Sequence, residues 1–288
     1  MSSTLAAMSP TQLINAYSLE MTAKDVGSLN EAAGIIPPGT AISVTFLPGE
    51  ELDARVAAAR RVKELGFVPV PHISARRLHS ADDLELFLRR LAEDVGIDHA
   101  FVVAGDPPEP MGPFSDALAV IESGMLEQYG VRHVGISGYP EGHPDISNEA
   151  LWQALRDKTS RIKAMGMDCE IMTQFAFDEE PVLAWVEAVR QAGVEVPIRI
   201  GIPGPASLKT LLRFAARCGV GASTKVMAKY GASITRLLNT TGPDKLVRAF
   251  AEQYKPAVHG AVHFHVYPFG GLKRTAEWCH EFVVKNRA

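Results

Sequence analysis

The sequence predicts a single-domain α/β protein, an eight-stranded β/α barrel of the TIM type. Eight short runs rich in Val, Ile, Phe and Thr follow one another along the chain, and most are separated by segments whose apolar residues recur at helical spacing. The length of 288 residues suits a barrel, which uses about 250 residues as one unit. We therefore expect one domain over residues 1–288.

The elements follow in the order that a barrel requires. The predicted strands span residues 17–22, 41–46, 68–74, 99–105, 132–138, 169–175, 196–202 and 260–267. Predicted helices include 51–65, 81–95, 150–165, 180–192 and 207–216, and the longer insert at 206–258 is expected to hold extra helices. Ser80 and Ser147 stand where helix N-caps are expected. An open doubly wound sheet would have fewer strands and a G-x-G-x-x-G turn after the first strand, which this chain lacks.

The composition excludes several classes of function. Apolar residues make up 47% of the chain, enough for a large core, and the net charge of −4 comes without a basic stripe, so we expect no nucleic-acid partner. No run is long enough to span a bilayer and no signal peptide begins the chain, so we expect a cytoplasmic protein without membrane contact. The three cysteines lie far apart and are interpreted as buried thiols.

Polar residues gather at the predicted carboxyl ends of the strands, where the active site of a barrel lies. These residues are Glu20, Thr45, His72, Asp106, Tyr139, Glu141, His143, Gln174, the turn 201–204, His263, His265 and Tyr267. Each one alone is consistent with an ordinary loop or helix cap. Because nearly every strand contributes one, the pattern indicates a ligand-binding crater.

Three kinds of chemistry compete for this crater. The residues that would serve as metal ligands are His72, Asp106, His143, His263 and His265. A metal barrel usually carries H-x-H on its first strand, where this chain offers only Glu20, so we expect no metal. No G-x-S-x-G nucleophile and no P-loop occurs. The remaining possibility is acid–base catalysis by Glu20 and Asp106 beside a redox cofactor.

The strand ends, in their order, resemble those of methylenetetrahydrofolate reductases of the short bacterial form that has only the catalytic domain. The motifs are Glu20 on the first strand, SVT ending in Thr45, PH with His72, AGDPP with Asp106, YPEGHP with Tyr139 and His143, TQFAFD with Gln174, GIPG at 201, LRFA with Phe214, and VHFHVY. Each motif is weak alone, whereas the ordered set covers nearly the whole chain and is specific.

The resemblance implies a hydride transfer that interconverts 5,10-methylenetetrahydrofolate and 5-methyltetrahydrofolate. It implies that Glu20 is the general acid that protonates the folate nitrogen as the ring opens to an iminium, and that Asp106 lies by the flavin and the pterin. Gln174 and Phe214 would hold the folate, and NADH or NADPH would be the electron partner. A homo-oligomer is expected by the same analogy.

The resemblance also implies bound FAD. The residues that would line it are Thr45, His72, Ala104, Gly105, Asp106, Tyr139 and His143, with Arg161 facing the diphosphate. Ala104 stands where the family usually has an arginine that helps to hold FAD, and Thr210 where relatives have a glutamine. Arg76 or Arg77 would then supply the missing cation.

Two alternatives follow from these departures. One is a flavin-independent reductase in which the nicotinamide meets the folate directly. The other, from a different class, is a barrel that binds folate or transfers its methyl group without redox chemistry. Replacement of Glu20 separates the second alternative from both redox readings, because only the redox readings need an acid there.

Overall fold

The computed structural model describes residues 10–218 and 242–286, in which eight parallel strands close into a barrel in chain order. The strands are β1 (Ser18–Met21), β2 (Ala41–Val44), β3 (Val68–Ser74), β4 (His99–Val103), β5 (His133–Gly138), β6 (Asp168–Phe175), β7 (Ile198–Pro203) and β8 (Val262–Tyr267). The predicted fold class is confirmed. Every strand boundary falls within two residues of its expected position.

Helices cover the outside of the barrel. They are α1 (Pro10–Ile14), α2 (Val26–Ala32), α3 (Leu52–Glu64), α4 (Ala81–Asp94), α5 (Ala117–Glu122), α6 (Met125–Gln128), α7 (Asn148–Ala164), α8 (Glu179–Gln191), α9 (Leu208–Arg217), α10 (Asp244–Gln253), α11 (Pro256–His259) and α12 (Leu272–Lys285). Ser80 and Ser147 cap α4 and α7 as expected, since each hydroxyl accepts a hydrogen bond from a backbone N–H of the first turn. Within the described ranges, no helix has the length and apolarity that crossing a membrane would need.

The insert between β7 and β8 contains three of these helices. The helices α9 and α10 lie inside the predicted insert of 206–258, and α11 ends one residue beyond it; residues 219–241 of that insert lie outside the described residues. Phe214, on α9, is therefore carried over the carboxyl ends of the strands by a segment that starts directly after β7. This placement brings an aromatic ring from outside the barrel toward its mouth.

Closure of the barrel joins its first and last strands. Ser18 and Leu19 of β1 pair in register with His265 and Val266 of β8. Because successive side chains of a strand point to opposite faces, Ser18 and Glu20 share the interior with His265 while Leu19 and Val266 face the helices. Two polar segments that are far apart in the chain thus meet inside one wall of the barrel.

A small apolar layer fills the middle of the interior. Val70, Phe101 and Met172 come from β3, β4 and β6 and pack against one another. Gly135 on β5 makes room for this layer, because a Cβ atom at that position would lie 2.7 Å from Cδ2 of Phe101. The layer separates the polar carboxyl end of the barrel from its amino end.

We expect Gly135→Ala to lower the free energy of unfolding by about 1–3 kcal/mol, because the added methyl group overpacks the layer around Phe101. Chemical denaturation measures this loss. Gly27→Ala is the matched control: Gly27 lies in α2 with no atom within 4 Å of the added Cβ, so stability should be kept or raised. Equal effects of the two changes would contradict the proposed role of Gly135.

Candidate active site at the carboxyl ends of the strands

Glu20 lies between two histidines at the carboxyl end of the barrel. Its Oε2 atom is 3.9 Å from Nε2 of His72 on β3 and 4.0 Å from Nε2 of His265 on β8. The side chain of Glu20 is 21% exposed, whereas His72 is 8% and His265 0% exposed. The carboxyl group therefore reaches the mouth of the barrel from a wall that is otherwise closed to water.

Each histidine is anchored through its other ring nitrogen. Nδ1 of His72 is 3.0 Å from the hydroxyl oxygen of Thr45, and Nδ1 of His265 is 2.8 Å from the hydroxyl oxygen of Ser18. Both Nε2 atoms are buried and have no hydrogen-bond partner among the described residues. Two fixed imidazoles thus direct unused polar atoms toward the carboxyl group of Glu20.

Both histidines are held in the uncharged state. Burial, together with the charge of the nearby guanidinium of Arg55, lowers the pKa of His72 to about 3. Arg55 donates a hydrogen bond of 2.6 Å to the backbone oxygen of His72. Burial also lowers the pKa of His265 well below its usual range, and the charge of Arg199 adds to this effect. Neither ring can form a strong ion pair with Glu20 at neutral pH.

Because its neighbours are neutral, Glu20 is not stabilised as an anion. Burial raises its pKa to about 7, and the negative charge of Asp25 contributes to the rise. Asp25 is fixed in place by hydrogen bonds of 2.8 Å from the N–H and the hydroxyl of Thr22. A carboxyl group with such a pKa exchanges protons readily near neutral pH, which is the property that a general acid or base requires.

An aromatic wall stands beside this carboxyl group. The ring of Phe214 stacks on Phe269 at 4.3 Å between centroids, and Phe269 stacks on Tyr267 at 5.6 Å. The hydroxyl of Tyr267 donates a hydrogen bond of 3.1 Å to the backbone oxygen of Thr173. Burial raises the pKa of Tyr267, and the charge of Glu20 adds to the rise, so the wall and the acid are close neighbours.

Gln174 lies at the end of β6, where the pairing with β7 is irregular between Met172 and Phe175. Its side-chain oxygen accepts a hydrogen bond of 3.1 Å from the backbone N–H of Phe175. This contact orients the amide group, which is partly exposed at the same end of the barrel as Glu20.

Asp106 follows β4 at the same end of the barrel but in a different environment. Its carboxylate accepts a hydrogen bond of 2.8 Å from Nε of Arg77, and its side chain is 69% exposed. Gly105 adopts a φ of 91°, and a Cβ atom there would lie 3.3 Å from Cβ of Ser74. The turn therefore needs the left-handed conformation that glycine adopts freely.

The two arginines expected to replace the missing cation are engaged with this turn. Arg76 donates from Nε to the backbone oxygen of Ser115 at 2.7 Å and from Nη1 to the oxygens of Pro107 and Pro108. Arg77 pairs with Asp106. Both guanidinium groups thus hold the loop after β4 to the end of β3.

Tyr139 and His143 follow β5 and meet edge to face, with ring centroids 5.4 Å apart. Tyr139 lines a cavity of about 260 Å³ together with Asn148, Trp152 and Trp185. The cavity lies beside the mouth of the barrel rather than inside it, since α7 and α8 supply the two tryptophans.

Arg161 is not brought to this end of the barrel. It lies exposed in the last turn of α7, which runs back from the carboxyl end of β5 to the amino end of β6. A helix that returns antiparallel to the strands carries its last turn to the opposite mouth. The remaining expected site residues, including Ala104 at the end of β4, lie on the carboxyl side.

Sequence reasoning missed several residues that shape the site. Ser18 and Arg55, which anchor the two histidines, gave no motif, and Phe269 follows the last strand outside the VHFHVY run. His265 was expected in the crater and in the VHFHVY motif, but its contact with Glu20 was not predicted. The alternation of His263, His265 and Tyr267 was the available signal that the last strand turns a polar face inward.

The fold and the site define a β/α barrel with a buried carboxyl group of raised pKa at the carboxyl ends of its strands. A sequence model described as methylenetetrahydrofolate reductase matches residues 31–277. The chain therefore belongs to the methylenetetrahydrofolate reductase family, and the resemblance seen in the strand ends is confirmed.

Individual relatives agree with this assignment. The 5,10-methylenetetrahydrofolate reductase of Salmonella typhimurium is 26% identical over 252 residues, which cover 85% of this chain and 80% of that enzyme. Methylenetetrahydrofolate reductase (NADH) 1 of Arabidopsis thaliana is 28% identical over 193 residues, or 60% of this chain. The match spans only 31% of the plant protein, so most of the plant protein has no counterpart in it.

Among solved structures, a protein of Clostridium thermocellum that binds two copies of 5-methyl-5,6,7,8-tetrahydrofolic acid has the same fold. It is 14% identical, with a TM-score of 0.61, over 93% of this chain and 95% of the other. At this identity the likeness concerns the barrel alone.

The raised pKa of Glu20 has a consequence for stability. Between the usual carboxyl pKa of 4.5 and about 7, the unfolded chain ionises while folded Glu20 keeps its proton, so the contribution of this group to stability falls as pH rises through that window. The Glu20→Gln variant has no such group and should not lose this stability as the pH rises. The free energy of unfolding of the variant minus that of the unmodified protein should therefore increase by up to about 3 kcal/mol from pH 4.5 to 8.

Denaturation curves at several pH values measure this difference. Glu109→Gln, on an exposed loop, is the matched control and should show no such trend. A flat difference for Glu20→Gln would mean that the carboxyl group is ordinary.

Proposed function

We propose that this protein interconverts 5,10-methylenetetrahydrofolate and 5-methyltetrahydrofolate by hydride transfer, with Glu20 as general acid and base. The observation that carries the proposal is the carboxyl group of Glu20, whose pKa of about 7 is set by burial beside two uncharged imidazoles. Membership of the reductase family supports the choice of substrate.

In the reducing direction, Glu20 supplies the proton that opens the methylene bridge. One C–N bond of the bridge breaks, its electron pair goes to nitrogen, and nitrogen takes the proton of Glu20. The bridge carbon becomes an iminium carbon that accepts a hydride and turns into the methyl group. A carboxyl group that is still protonated near neutral pH can perform this step, whereas an ordinary glutamate would already be ionised.

The aromatic wall supports a folate substrate. Phe214 and Phe269 are stacked at 4.3 Å and offer a flat apolar face to an aminobenzoate ring, since aromatic rings pair favourably when offset or stacked. Tyr267 continues the stack toward Glu20, and Gln174 offers an oriented amide to the polar edge of a pterin. We infer that the pterin lies over Glu20 and the aminobenzoate lies along Phe214.

Several residues at the carboxyl ends of the strands are suited to bind the FAD that the family resemblance implies. Nε2 of His72 is a buried atom without a partner among the described residues, and Thr45 fixes its ring. Tyr139 lines the cavity that Trp152 and Trp185 border, and His143 contacts Tyr139 edge to face. Gly105 lets the backbone of the turn pass close to Ser74. These residues would hold FAD, which when bound supplies a two-electron carrier between a nicotinamide and the folate. Asp106 would face it with an exposed carboxylate.

The same geometry favours a second candidate, a reductase that works without flavin. Ala104 replaces the family arginine, Arg76 and Arg77 hold the loop after β4, and Arg161 lies at the other mouth. The cations expected to face a diphosphate are thus used elsewhere. In this candidate NADH or NADPH delivers its hydride directly to the iminium carbon, and the role of Glu20 is unchanged.

We expect Glu20→Gln to lower kcat/KM at least about 100-fold while folate binding is kept, because glutamine fills the same space but carries no transferable proton. In the unmodified protein the rate of methylenetetrahydrofolate reduction should fall as pH rises above about 7, where Glu20 loses its proton. Steady-state rates over a pH series measure both effects. The Glu109→Gln control should keep full activity.

An active Glu20→Gln variant would rule out the acid role. Intact folate binding with no reductase activity in the unmodified protein, given flavin and either nicotinamide, would instead identify the barrel that only binds folate or transfers its methyl group.

The cofactor is tested by the absorbance spectrum of the purified protein. We expect a flavin spectrum that bleaches when 5-methyltetrahydrofolate is added without oxygen, because the reduced methyl group gives its hydride to the flavin. A colourless protein that cannot be reconstituted with FAD, yet oxidises NADH or NADPH with methylenetetrahydrofolate, would establish the flavin-free candidate.

A further inference from the structure

A cluster of histidines and aspartates lies at the other mouth of the barrel. His99, His133 and Asp168 are the first residues of β4, β5 and β6, and they are paired in register across the three strands. Neighbouring parallel strands lie about 4.8 Å apart, so in-register side chains on one face stand next to each other. Phe101 and Gly135, two residues further along, point inward, and His99 and His133 therefore do too.

The two imidazoles are held as a pair. Their rings stack at 4.2 Å between centroids with an angle of 13° between planes. Nδ1 of His99 is 2.7 Å from a carboxylate oxygen of Asp98, and Nδ1 of His133 is 3.2 Å from one of Asp168. Asp168 thus gives His133 the carboxylate partner that orients histidine ligands in metalloproteins, and Asp98 brings a second carboxylate next to His99.

We propose that Asp98, His99 and His133 form a binding site for a divalent transition-metal ion of the zinc class, with Asp168 as the residue that orients His133. One ligand atom from each of the first three residues lies within 4.8 Å of the other two. Tetrahedral Zn²⁺ with bonds near 2.0 Å needs ligands about 3.3 Å apart, so small side-chain rotations close the site. Three protein ligands leave a fourth position for water.

Access from solvent fits such a site. The side chains of His99 and His133 are 32% and 41% exposed, and that of Asp98 is 54% exposed, so solvent reaches all three. A cavity of about 300 Å³ opens beside them, lined also by Glu170 and Arg199. An ion can therefore enter from solvent without any change in the barrel.

The charges around the site favour a cation. Asp98 and Asp168 bring two negative charges, and Lys63, which lies close to Asp98, brings one positive charge. Arg199 donates a hydrogen bond of 2.7 Å to Glu170, whose carboxylate partly offsets its positive charge. Mixed imidazole and carboxylate ligands select Zn²⁺, Ni²⁺ or Cu²⁺ over Mg²⁺ and Ca²⁺, which prefer oxygen ligands alone.

Titration of the 288-residue protein with Zn²⁺ tests the site. After dialysis against EDTA, competition with a coloured chelator should reveal one Zn²⁺ bound per chain. We expect His99→Asn and His133→Asn each to weaken this binding at least about tenfold, since each removes a ligand. His79→Asn and His280→Asn, on exposed histidines elsewhere, are matched controls and should bind as the unmodified protein does.

Two further readouts keep the test decisive. Co²⁺ in place of Zn²⁺ should give the visible absorption bands of a tetrahedral ion, and these should vanish in His133→Asn. Circular dichroism of the metal-free variants checks that they fold. Absence of stoichiometric Zn²⁺ binding, or equal losses in His280→Asn, would show that the cluster is only two ion pairs. The site is distant from Glu20, so its failure would leave the proposed reductase activity untouched.

Discussion

The carboxyl group of Glu20 is the constraint on which the site depends, because the barrel gives it neighbours that cannot become charged. His72 and His265 are fixed through Thr45 and Ser18 and are too deeply buried to take a proton near neutral pH. Had either ring been charged, it would have held Glu20 as an anion. The absence of that ion pair is what leaves the carboxyl group able to give and take a proton.

Strand order and alternation account for what the sequence could predict. The eight strands were recognisable because each parallel strand is buried on both faces and reads as a short apolar run between helical segments. Glu20, Thr45, His72 and Gln174 were recognisable as candidate site residues because they lie at strand ends, and strand ends converge in a barrel. Both inferences need only the chain order, which is why the structure has the eight strands and brings these four residues to one end of the barrel.

The other site features depend on contacts between distant segments. Arg161 follows the YPEGHP motif in sequence, but the direction of α7 carries it to the opposite mouth. Arg76 and Arg77 stand beside the expected cofactor position, yet Nε and Nη1 of Arg76 already bond backbone oxygens and Arg77 is paired with Asp106. His99 and His133 were not predicted as site residues, because they are the first residues of their strands and the active site of a barrel is expected at the carboxyl ends. No local pattern reports which groups a side chain will meet.

The two mouths of the barrel are not electrically independent. The apolar layer of Val70, Phe101 and Met172 separates them in space, but Arg199 lies below the layer and still lowers the pKa of His265 above it. Glu170 partly offsets that charge through its hydrogen bond to Arg199. Burial is the larger cause of the low pKa of His265, and the charge at the amino end adds to it, because an apolar interior screens such interactions less than water does. The apolar layer thus separates the two mouths sterically without isolating them electrostatically.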